Sequence, residues 1–228
     1  MKRYLPITCV VLSISMNAGA HDPGARPPTW NREISRIVYE RCASCHRPGG
    51  TSFSLMTYQD AQPRAVAIKA TVLARQMPPW GAVDGFGDFR NDRGLTQEQI
   101  SLVTDWVEGG SPKGHNPNAL ASPPKFDKQA KFEVPSNTIA VSGELRLNQA
   151  LTLDGVMPEH VPQGASMQIV AVRPDGGIEP LLWLYEYRDR YRHPFLYRKR
   201  IDLPAGTVIR GARRGARLLL IPVVKSKP

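Results

Sequence analysis

Residues 166–187, SMQIVAVRPDGGIEPLLWLYEY, place two apolar runs on either side of Pro174-Asp175-Gly176-Gly177. Runs rich in β-branched and aromatic residues around such a turn read as a β-hairpin. The same character continues downstream. In FLYRKRIDL, 195–203, Phe195, Tyr197, Ile201 and Leu203 alternate with Arg198, Arg200 and Asp202, as in a strand with one face buried. ARLLLIPVV, 216–224, closes the run. Six to eight short strands are expected here, in an antiparallel sandwich of about a hundred residues.

Upstream of residue 130 the pattern changes. SPKGHNPNALASPPKF, 111–126, has four prolines and no apolar periodicity, which reads as a linker. Before it the spacing is helical. Trp30, Ile34, Ile37 and Val38 lead into Cys42, and Val66, Ala70, Leu73 and Met77 form a second stripe. A third helix opens on the capping-box pattern Thr96-Gln97-Glu98-Gln99, runs through Ile100, Val103 and Val107, and stops at Gly109-Gly110. The expected fold class is α+β in two domains: an all-α N-terminal domain over 21–112, a Pro-rich linker over 113–129 and a β-sandwich over 130–228.

The first twenty residues have the form of a signal peptide. Lys2 and Arg3 precede an apolar stretch, and Ala18-Gly19-Ala20 is a small-residue cleavage pattern. Export to the periplasm or an equivalent compartment is expected, with no transmembrane segment in the mature chain. Cleavage removes Cys9 and leaves Cys42 and Cys45 as the mature cysteines. The formal net charge is +10 for the whole chain. The excess falls mostly beyond residue 116, where 17 basic residues face 10 acidic ones, which suits an acidic redox partner, an anionic surface or a solvated basic face. Nucleic acid is excluded for want of any matching motif.

Cys42-Ala43-Ser44-Cys45-His46 has the C-x-x-C-H spacing of covalent c-type haem attachment. Each thiol adds to a vinyl group, and the tethered ring then lies against the histidine, which supplies the proximal nitrogen. A zinc site needs further ligands at close spacing, and a thioredoxin-type dithiol follows a strand rather than a helix. Met77 is the candidate distal ligand: it lies 31 residues past His46, and Pro78-Pro79 stiffen the chain behind it. Met56 is its competitor. Trp80 and Trp106 read first as packing residues.

CASCHRPGG (42–50), Phe-Ser-Leu-x-Thr-Tyr (53–58) and Arg-x-Met-Pro-Pro-Trp-Gly (75–81) resemble the class I cytochrome c domain that is coupled to copper type II, ascorbate-dependent monooxygenase-like regions in large exported bacterial proteins. The resemblance covers roughly residues 30–126. It implies that 21–112 is a cytochrome c domain, with Cys42 and Cys45 as haem tethers, His46 as proximal ligand and Met77 as distal ligand. The segment from Gln163 onward is similar to the copper-binding β domain of that family. The family's His-x-His pair is replaced here by Glu159 and Val161 around His160, and its downstream methionine segment is absent. His21, His115, His160 and His193 are isolated in sequence, so copper is not expected. These readings define a monohaem c-type cytochrome with one covalent haem, passing single electrons to a redox partner protein. It is a carrier rather than an enzyme, and the alternative is a haem-to-copper oxidoreductase.

Overall fold

Phe195 opens the strand that organises the molecule. Its ring is fully buried, and Tyr197, two residues on, enters the same core. The structure is a computed structural model that describes residues 26–126 and 133–223. Among the described residues, eight strands form two antiparallel four-stranded sheets. The strands are β1 (Ile139–Val141), β2 (Leu145–Arg146), β3 (Leu151–His160), β4 (Met167–Val172), β5 (Ile178–Leu184), β6 (Phe195–Leu203), β7 (Val208–Arg210) and β8 (Arg217–Pro222). One sheet has the order β1-β8-β3-β6 and the other β2-β7-β4-β5. Leu153, Ile169, Leu181, Phe195, Tyr197 and Leu218 from both sheets meet in one apolar core.

The β4–β5 hairpin pairs Met167 with Leu184 and Val172 with Ile178. Gly176 takes φ 86° in its turn, where a Cβ would be strained, and Asp175 Oδ1 accepts the Gly177 N–H at 2.9 Å. β3 carries a bulge between Leu153 and Gly155. It needs glycine there, because a Cβ on Gly155 would stand 2.5 Å from the Phe195 carbonyl oxygen.

Four helices, all short, precede the strands: α1 (Ser35–Ile37), α2 (Tyr58–Ala61), α3 (Ala65–Leu73) and α4 (Gln97–Glu108). π-type turns at Trp30–Ile34 and Val38–Cys42 flank α1. α4 has the expected capping box, in which Thr96 Oγ1 accepts the Gln99 N–H at 3.1 Å and Gln99 Oε1 accepts the Thr96 N–H at 3.1 Å. Its buried face is Ile100, Val103 and Trp106, with Val107 only half-buried. The stripe expected on α3 is not the buried one. Ala65 and Val72 are buried, while Val66 is 76% and Leu73 52% exposed.

The expectation of an α+β chain with an all-α N-terminal domain is overturned. The described protein is mostly β, with few and short helices. The physical reason lies in residues 80–91, which lack apolar periodicity and pair with strands instead of packing on helices. Ala82 bridges Leu184 and Phe89 bridges Tyr197. Val83 N–H donates to Trp183 O at 2.9 Å, and Arg90 N–H to Leu196 O at 2.8 Å. Trp80 and Ala82 pack against the sheet core. The smaller helical core of Trp30, Ile34, Ile37, Leu55, Val103 and Trp106 is thereby fastened to the sheets. The start of the expected linker belongs to this helical part, since Trp30 N–H donates to Pro112 O and Asn31 N–H to Lys113 O, each at 3.0 Å.

The signal-peptide segment 1–20, with Cys9, and His21 lie outside the described residues. No helix among the described residues is long and apolar enough to cross a membrane.

Overpacking a core position costs about 1–3 kcal/mol, and each kcal/mol shifts the melting temperature of a chain this size by about 2–4 °C. Gly155→Ala is therefore expected to lower the calorimetric Tm by several degrees. An unchanged Tm would mean that the bulge has room to relax.

Candidate functional site

The helical turn Val38–Cys42 delivers Cys42, and the chain then folds tightly back on itself. His46 N–H donates to Cys42 O at 3.0 Å, Ser52 N–H to Cys45 O at 3.2 Å and Leu55 N–H to His46 O at 3.1 Å. The two glycines after the motif have separate reasons. Gly49 takes φ 70°, and a Cβ on Gly50 would meet the Cys45 carbonyl oxygen at 2.3 Å. The loop thus holds both cysteines and His46 on one short, hydrogen-bonded turn.

These residues open onto a cavity of about 630 Å³, within the roughly 300–1,000 Å³ typical of cofactor sites. Cys42, Cys45 and His46 line it together with Phe53, Leu55, Ile68 and Val72. Met77 lines it too, 31 residues further along the chain. Met56 is not in this wall; its carbonyl oxygen accepts the Tyr39 hydroxyl at 3.1 Å. The four residues singled out by sequence therefore share one apolar chamber. Phe53 and Met77 are 52% and 37% exposed, unusual for large apolar side chains, and both face this space.

His46 Nδ1 lies 3.0 Å from Phe53 O. A donor Nδ1–H to that carbonyl fixes the tautomer and leaves Nε2 as the nitrogen with a free lone pair. Both cysteines are free thiols. Burial pushes the Cys42 thiol up to about 12, with nearby Cys45 acting in the same direction. A thiol so high is protonated at neutral pH, which disfavours a dithiol redox centre, whose attacking cysteine needs a lowered pKa.

Sequence reasoning missed Arg41. Its guanidinium is pinned on two sides: Nη1 donates to Asp92 O at 3.0 Å, and Nη2 pairs with Glu40 Oε1 at 3.1 Å. Nε is buried without a partner, and Arg41 forms part of the cavity wall beside Arg93. Buried donors are ordinarily satisfied, so an unpaired one in a cavity wall calls for an acceptor brought by an occupant. A haem fits on both counts, with an apolar ring for the chamber and propionate carboxylates for Arg41. The signal was present in sequence as an arginine adjoining the motif on a helix that is otherwise apolar inward, but nothing in the spacing gives it a partner.

The other histidines sit apart. His115 and His160 are exposed, and His160 lies opposite Arg217 at the end of β3. Glu159 pairs with Arg217 at 2.5 Å, while Val161 is buried in the sheet core. No group of three or more His, Cys, Asp or Glu side chains able to hold a metal ion occurs among the described residues. His193 stacks on Trp80 at 5.2 Å, with Nε2 3.3 Å from Pro79 O and Nδ1 3.2 Å from Pro194 O. It ties the chain just past Met77 to the start of β6.

No family model, curated protein or solved structure matches this chain.

Burial lowers the His193 pKa below 6.5, and Arg93 adds to that, against the two carbonyl contacts. The unfolded chain therefore holds more protons than the folded one between that lowered value and 6.5. The stability from a neutral His193 is complete above about pH 6.5 and drains away as the pH falls toward the folded value. His193→Phe, which keeps a ring but takes no proton, is expected to flatten the fall of Tm between pH 7 and 5. Parallel Tm profiles for the two proteins would contradict this.

Proposed function

We propose that the protein is an exported c-type haem protein that carries one covalent haem and passes single electrons to a redox partner protein. The observation that carries the reading is the convergence of Cys42, Cys45, His46 and Met77 on one apolar chamber. Cys42 and Cys45 would hold the haem through thioether bonds, and His46 and Met77 would take the two axial positions. When bound, the haem supplies a ferric/ferrous couple, and methionine opposite histidine raises its potential.

The chain's own residues do the rest. Phe53 O orients the His46 ring, and the His46–Phe53 edge contact at 4.7 Å steadies it. Leu55, Ile68 and Val72 keep water from the chamber. Met77 N–H donates to Thr71 O at 3.3 Å, and Pro79 is held by His193, so the thioether is supported from both sides along the chain. With both His46 and Met77 available to the iron, the haem would suit outer-sphere transfer better than oxygen chemistry, and that is the reason for reading a carrier. Arg41 Nε would receive a propionate. The basic excess of the C-terminal half supports an acidic surface on the partner.

The test is protein matured with a haem-attachment system. The pyridine haemochrome of the wild type is expected to show one haem per chain, resistant to acid–acetone extraction. Cys42→Ala with Cys45→Ala loses covalent haem, and Met77→Ala loses the methionine–iron charge-transfer band of the oxidised form. A wild type without covalent haem would sink the reading, and a persisting band in Met77→Ala would sink the distal assignment. Arg41→Leu keeps its haem and has a lower midpoint potential in redox titration, because a cation near the iron disfavours the ferric state.

A further inference from the structure

On the far side of the Met77 segment lies a second cavity, of about 650 Å³, again within the roughly 300–1,000 Å³ of small-molecule sites. Val72, Met77 and Pro78 line both chambers, so the two stand back to back. The second is built where the helical part meets the sheets, and its aromatic members are Trp80, Trp183, Tyr185 and Tyr191. Tyr185 is 53% exposed and Leu73 52%, and both belong to this wall. Large apolar side chains left open to solvent around a concavity mark a binding surface.

The backbone points to the same place. Three non-glycine residues among those described have left-handed φ, and two of them, Arg75 at 50° and Glu186 at 45°, line this cavity. Such conformations are costly and collect at ligand sites.

The charges choose the ligand. Asp84 and Glu186 are exposed and solvated, and Asp92 Oδ1 is occupied by the Gly94 N–H at 2.6 Å. Arg75 donates to Gln97 Oε1 at 3.3 Å. Arg188 is half-buried, and its guanidinium makes no hydrogen bond or ion pair among the described residues. An unpaired guanidinium in an aromatic cavity is matched by a planar carboxylate, which accepts from its fork in two parallel bonds. A neutral phenol leaves that donor unmet, and an amine placed at the Arg188 end of the wall meets a like charge.

We propose that this cavity binds a small aromatic carboxylate, of the benzoate or hydroxybenzoate class, with its ring on the aromatic wall and its carboxylate on Arg188. The proposal goes beyond the haem reading and stands without it, since the ring and carboxylate contacts it invokes come from Trp80, Trp183, Tyr185, Tyr191 and Arg188, none of which is a proposed haem ligand.

Isothermal titration calorimetry of the full matured protein with 4-hydroxybenzoate, benzoate, phenol and benzylamine tests it. Both acids are expected to bind, and phenol and benzylamine to bind at least about tenfold more weakly, the size of one charged hydrogen bond. Arg188→Leu should weaken both acids by a similar factor with an unchanged Tm. Tyr185→Ser, at an exposed position that does not support the fold, should weaken them several-fold and stands in if Arg188→Leu fails to fold. No heat from either acid at millimolar concentration overturns the proposal. So does equal or tighter binding of phenol or benzylamine, or acid binding indifferent to both substitutions.

Discussion

The stacking of Trp80 on His193, with Phe89, Phe195 and Tyr197 gathered around them, is the contact on which the rest of the molecule depends. The centroid distances run from 4.6 to 5.8 Å through Trp80–Phe195, Trp80–Phe89, Phe89–Tyr197 and His193–Phe195. Trp80 and Phe89 come from the chain that follows Met77, while His193, Phe195 and Tyr197 come from the start of β6. Offset and edge-on aromatic contacts add to the stabilisation from buried area. Without them the helical segments would have only their own small core of buried residues. The geometry around Met77 is thus set from the sheets, through an aromatic joint, as much as from the helices.

That joint explains what the sequence did and did not reveal. The hairpin at 166–187 and the strand at 195–203 were legible because alternation and turn residues are local signals. The α4 capping box was legible for the same reason. Residues 80–91 were not, because MPPWGAVDGFGDFRNDRG has no periodicity, and its pairing partners lie about a hundred residues away. Reading that stretch as a loop inside an all-α domain followed from its composition; only its strand partners could correct it. The stripe on α3 failed differently. Val66 and Leu73 fit a helical period, but Leu73 lines the second chamber and Val66 stands in solvent at 76% exposure, so the period does not mark a buried face.

The candidate site was legible where chemistry forces residue type and spacing together. Cys42, Cys45 and His46 stand out because their spacing is so short, and the structure places all three on one turn that lines a single cavity. Met77 was readable only with the prolines behind it. Arg41 was visible only as an arginine beside the motif, because its meaning comes from an unsatisfied Nε in a wall it shares with Thr71, Pro79 and Arg93. Polar atoms acquire significance from what they lack, and a sequence does not record what a side chain lacks.

The placement of α3 has a consequence for how the chain opens. Nine residues long, it buries little beyond Ala65 and Val72 and is flanked by a hollow on either side. Regions with few buried apolar contacts exchange their amide hydrogens through local rather than global unfolding. α3 is therefore expected to exchange its amide hydrogens ahead of the sheets, through an opening that leaves the β core folded.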